Sequence, residues 1–142
     1  MRSFRFRLQR VLEWRASRYD AERLKLDGLI VEQRAVSNRI EQLRKDLSSP
    51  LPSRLTGVDL QAHAVHSAHL QRQLAELNGC QQDLARRIAL QQECVLDAKR
   101  NCELIERLRD RAKADWVYAE DRENEALSAE SYLATWTRDN NL

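Results

Sequence analysis

His63, His66 and His69 recur at every third position, and three cysteines, Cys80, Cys94 and Cys102, follow them. Imidazole and thiolate are the side chains that bind zinc, and a spacing of three can bring two imidazoles to one helix face. Each further step of three turns back by about 60°, so the third imidazole diverges from the first. Asp59 is the one carboxylate nearby, and two imidazoles alone leave a zinc site unfilled. Surface or structural histidines are the simpler reading, and no metal or cofactor is expected. The cysteines form no CxxC pair and share one helical stretch, where they cannot easily bridge one another. A reducing, cytoplasmic compartment is expected. The chain has no Gly-rich phosphate loop, no GxSxG and no HExxH, so no enzyme is expected.

The opening Phe4-Arg5-Phe6-Arg7-Leu8-Gln9-Arg10-Val11-Leu12-Glu13-Trp14-Arg15 interleaves arginine with apolar residues. As a basic amphipathic helix it could lie on anionic lipid or on an acidic protein. As a phosphate-binding patch it could take nucleic acid. As the solvated face of a coiled coil, its arginine stems would cover apolar area. The downstream chain is not basic, so nucleic acid is not expected. The stretch has no continuous apolar run of the secretory kind, and it passes unbroken into a longer helical pattern.

The elements that must carry these residues are helices. Ala, Glu, Lys, Leu and Arg supply 73 of 142 residues, the composition of a coiled coil, and only three Gly and two Pro are present. That scarcity of turn residues argues against a β-sandwich or barrel. Alternating steps of four and three from Leu8 pick out Leu12, Arg15, Tyr19, Glu22, Leu26, Leu29, Gln33, Val36, Ile40, Leu43 and Leu47, a mostly apolar heptad stripe. Ser48 to Ser53, with Pro50 and Pro52, cannot continue that helix. Thr56 or Asp59 can cap a second one. Its stripe runs through Leu70, Leu74, Leu77, Gln81, Leu84, Ile88, Gln91, Val95, Ala98, Cys102 and Ile105, then thins to Ala112, Trp116, Ala119, Ala126 and Leu133.

The expected fold is all-α: a long antiparallel two-helix coiled coil, a helical hairpin with a C-terminal helix overhang. One coiled-coil domain would span 1–142, with helix one at about 4–47, a Pro-containing bend at 48–58 and helix two at 59–138. If Leu47 opposes Leu60, Leu8 falls opposite Ala98 or Lys99, and roughly 35–40 residues of helix two project beyond helix one. A helix polar nearly all round needs something to receive it. Charge is also graded: residues 1–45 carry a net of +6 and residues 103–142 a net of −4.

Phe4, Phe6, Arg7, Leu8, Gln9, Val11, Leu12, Arg15 and Glu22 form an FxFRLQxVLxxR opening followed by a glutamate. This resembles the start of the flagellar export protein FliJ family. Thr56-Gly57 with Leu60, Leu70 and Leu74 is similar to that family's bend, and Glu106-Arg107-Leu108 with Trp116, Asp121-Arg122-Glu123, Glu125 and Leu127 is similar to its C-terminal pattern. The chain departs from it at Asn124, Ala126 and Ser128-Ala129, and at His66 and His69, where the family tends to have aromatic residues.

The resemblance implies a non-enzymatic stalk and adaptor of the flagellar type III protein export apparatus, similar to the central stalk of rotary ATPases. Implied partners are the hexameric export ATPase, the cytoplasmic domain of the export gate membrane protein, and export chaperones. The implied location is cytoplasmic, peripheral at the membrane through those partners. Candidate ATPase contacts are Phe4, Arg5, Phe6, Arg7, Arg10, Arg107, Arg109, Trp116 and Arg122, the arginines meeting acidic pore loops. Candidate gate contacts, near the bend, are Arg39, Gln42, Arg44, Lys45, Leu51, Leu55, His66, His69 and Gln73. Leu51 and Leu55 would either fold back over Leu47 and Leu60 or meet a partner. The alternatives are the equivalent stalk of a virulence-type secretion system and a generic structural coiled coil self-associating through Leu26, Leu29, Val36 and Ile40.

Overall fold

A computed structural model describes residues 2–141. Two helices account for most of them, α1 (Gln9–Ser48) and α2 (Gly57–Asn140), paired antiparallel as a helical hairpin, and no strand occurs among the described residues. The contacts divide the chain into two units, one of residues up to Arg18 with those from Lys99 onward, the other Tyr19–Ala98.

In the unit Tyr19–Ala98 the heptad stripes face inward. Every stripe position from Tyr19 to Leu47 and from Leu70 to Ala98 is buried or half-buried. Ile40, Leu43, Leu70, Leu84, Ile88 and Ala98 form its buried core, with Leu43 at 0% exposure. Polar contacts also cross this seam. Gln91 Nε2 donates to the Glu22 backbone carbonyl at 2.9 Å and to the Glu22 carboxylate, and Gln81 Nε2 donates to Ser37 Oγ at 3.2 Å.

Those pairs correct the expected register. Ser37 faces Gln81, so the last turn of α1 faces the turn around Leu70 rather than Leu60. Residues 57–66 are accordingly exposed throughout, Leu60 included. The cause lies in the connection. Pro50 and Pro52 hold their own φ and push the preceding residues into extended geometry. Thirteen helical residues rise about 20 Å, and the eight residues 49–56 can span about 26 Å when extended. The connection is therefore long enough to run beside the first turns of α2 instead of closing a tight bend.

The helix ends have local causes. The hydroxyls of Ser48 and Ser49 both donate to the Lys45 carbonyl, at 3.0 and 3.2 Å, satisfying the end of α1 before Pro50 blocks continuation. At α2, Thr56 Oγ1 accepts from the Asp59 N–H at 3.3 Å, while the Thr56 N–H donates to Asp59 Oδ2 at 3.1 Å. This reciprocal box makes Thr56 the cap and Asp59 its return partner.

In the other unit, α1 begins at Gln9, not at about residue 4. Phe4-Arg5-Phe6-Arg7 alternates with a period of two. In a helix Phe4 and Phe6 would point about 200° apart; extended, they share a side. Both are half-buried, while Arg5 and Arg7 are exposed. The basic opening is thus an extended segment followed by a helix. The Gln9 N–H donates to the Phe6 carbonyl at 3.2 Å, and the Leu12 N–H to the Leu8 carbonyl at 3.0 Å. Leu12 and Cys102 are buried, and the inward stripe of α2 continues through Ile105, Arg109 and Ala112 to Trp116. Gln9 shares a groove with Arg109, Asp110 and Lys113, so the start of α1 lies near residues 109–113, not opposite Ala98 or Lys99. The exposed tail of α2 starts at Asp121, about 20 residues instead of the expected 35–40.

Candidate functional site

The unit that joins the chain's start to the second half of α2 gathers most of the candidate ATPase contacts. The rings of Phe4 and Trp116 lie 5.9 Å apart, tilted by 55°, a geometry aromatic pairs favour. Beside them, Phe4, Arg5, Phe6 and Gln9 form a shallow groove with Arg109, Asp110 and Lys113. Arg109 is half-buried, its Nη2 3.6 Å from Asp110 Oδ1. Arg5, Arg7, Arg10 and Arg107 are exposed, with no carboxylate in ion-pair range among the described residues. Arg122 stands apart from this cluster, its guanidinium 5.8 Å from the Tyr118 ring centroid.

Two residues of this unit were not singled out by sequence reasoning. Trp14 is exposed and flanked by the guanidinium groups of Arg15 and Arg18, at 5.2 and 5.6 Å. Arg2 lines a groove with Trp116, Ala119, Glu120, Glu123, Asn124 and Leu127. Arg15 occupies a seam position, and its buried Nε has no hydrogen-bond partner among the described residues. Its stacking on Trp14 offsets part of that loss.

The unit Tyr19–Ala98 holds the candidate gate contacts. Arg39, Gln42, Arg44 and Lys45 are exposed on the last turns of α1. Gln42 Nε2 donates to Asp46 Oδ1 at 3.2 Å, and Lys45 pairs with Glu41 at 3.7 Å, both weak surface contacts. Leu51 is exposed and Leu55 half-buried. His66 and His69 line a shallow groove with Val58, Gln61, Ala62 and Val65. The ring Nε2 of His69 lies 3.2 Å from the amide of half-buried Gln73, and His63 pairs with Ser67 at 3.4 Å. Among the described residues no three His, Cys, Asp or Glu side chains gather as a metal site would need.

Val58 and Val65 escaped the sequence reading, although a signal existed. Val58, Ala62, Val65 and His69 follow steps of four, three and four, a second stripe beside the seam. No charged residue falls between Asp59 and Arg72. The Asp59 carboxyl is held below its usual value, first by the Thr56 side-chain hydrogen bond and then by the Thr56 N–H.

No helix among the described residues is long and apolar enough to cross a membrane. No protein-family model, curated protein or solved structure matches the chain.

Proposed function

We propose that this chain is a non-enzymatic stalk and adaptor of a flagellar type III export apparatus. In this reading it inserts into the hexameric export ATPase and links it to the export gate's cytoplasmic domain and to export chaperones. It acts in the cytoplasm, held at the membrane through those partners. The observation that carries the reading is the packing of Phe4 on Trp116. These residues belong to the opening and closing motifs on which the family resemblance rests, more than a hundred positions apart in sequence. A helix that continues, exposed, beyond their contact supplies the segment a ring would receive.

The generic self-associating coiled coil has less support. Leu26, Leu29 and Val36 are half-buried and Ile40 is buried within the hairpin itself. Their apolar area is already engaged.

The test is stimulation of the export ATPase. Removing residues 1–12 should leave the hairpin of Tyr19–Ala98 folded and abolish stimulation. A truncated chain that stimulated as well as the intact one would exclude the reading.

A further inference from the structure

The exposed end of α2 has a chemistry of its own. From Glu120 to Asn140 the chain carries six acids and two bases, a net of −4. Asp121, Glu123, Glu125, Glu130 and Asp139 have no ion pair among the described residues. Yet the same turns present large apolar side chains to solvent: Tyr132 is 71% exposed, Leu133 58% and Trp136 55%.

These residues are ordered around the helix. At about 100° per residue, Ala126, Ala129, Leu133 and Trp136 share one stripe. Glu125 falls along one edge of it, and Glu123 and Glu130 along the other. The result is an apolar band with carboxylates on both margins. Water is a poor environment for that band, and nothing else in the described chain covers it.

We propose that residues 121–140 dock, as a helix in a groove, into a protein partner whose groove has an apolar floor and basic residues on both rims. Charge selects this occupant. An anionic lipid surface repels a segment that carries five acids and two bases, a net of −3, and two such segments from two copies repel each other. The inference rests on the stalk reading and deepens it: the part of the ATPase that receives this extension is basic, whereas the exposed arginines Arg5, Arg7 and Arg10 suit acidic loops elsewhere on it.

The experiment measures binding of the full chain to the hexameric export ATPase from about 50 to about 300 mM salt. One variant carries Glu123→Lys, Glu125→Lys and Glu130→Lys; the other carries Leu133→Ala and Trp136→Ala. All five positions are exposed, so circular dichroism should show both variants as helical as the parent. The lysine variant should bind about tenfold more weakly at low salt, the difference shrinking as salt rises. The alanine variant should be weakened at every salt concentration. Unchanged binding by both variants, with the parent still bound, overturns the inference and leaves the stalk reading standing. Tighter binding by the lysine variant overturns it too, as does parent binding to vesicles of anionic lipid or a dimer that dissolves on charge reversal. A parent chain that ignores the ATPase removes both readings.

Discussion

Gln91 on α2 donates to both the backbone carbonyl and the carboxylate of Glu22 on α1, in a seam filled mostly by aliphatic side chains. Glu22 also pairs with Lys25 at 3.6 Å, and its side chain is only 14% exposed. A polar layer of this kind is stable only when the two helices are in the register that joins it, so it selects one alignment among several that bury similar apolar area. Replacing Gln91 with Ala should cost about 1–2 kcal/mol, since two hydrogen bonds in a part-buried site are lost. Replacing both residues with Leu should restore or raise the unfolding midpoint in urea while broadening the alignment. Cross-linking across the seam would detect that broadening, and a double variant with unchanged, single register would count against the assignment.

Leu43 is the most deeply buried side chain of the seam. Leu43→Ala should destabilise the chain by about 2–4 kcal/mol, through lost transfer energy and the cavity left behind. Leu24→Ala, on the exposed face of the same helix, should be nearly neutral. Equal effects in thermal unfolding would contradict the inward stripe.

Gly28 and Gly79 sit inside helices with nothing within 4 Å of an added Cβ. Changing each to Ala should raise stability by about 0.5–1 kcal/mol, because glycine gives up more backbone freedom on folding. A fall in melting temperature would show that the bare backbone faces something else.

The box between Thr56 and Asp59 should make the first turns of α2 sensitive to acid. Its carboxyl binds a proton less readily folded than unfolded, so its contribution is complete above the model-peptide value of 3.8 and fades as pH falls through the lowered range. Thr56→Ala should cost about 1 kcal/mol at neutral pH. The hydrogen-exchange protection of residues 59–62, taken relative to the rate of unstructured peptide at the same pH, should fall in acid for the parent chain, and Asp59→Asn should flatten that dependence. Identical acid profiles for parent and Asn variant would rule the box out as its source.

The face near the connection is tested by replacing Leu51, His66 and His69 together with Ala. None of the three is buried, so helicity should persist. Binding to the gate's cytoplasmic domain should weaken while ATPase stimulation persists. Loss of both activities at once would indicate unfolding instead of a lost contact.

The residues themselves determined the helices and their inward faces. Heptad spacing depends only on turns of a single helix, so each stripe could be read position by position, and the seam from Tyr19 to Leu47 and from Leu70 to Trp116 is the one the pattern names. The Pro-bearing break and the cap at Thr56 were legible for the same reason, being local stereochemistry. The register was not. One heptad hairpin resembles another slipped by seven residues, and the pairs Gln91–Glu22 and Gln81–Ser37 mark the alignment adopted. The state of residues 2–8 was likewise decided by packing: alternating Phe and Arg reads as helix or as extended chain until Trp116 offers Phe4 a ring to meet. That contact and the chosen register together leave uncovered the face of α2 that carries Leu133 and Trp136, which spacing alone could not single out, because exposure depends on where the partner helix stops.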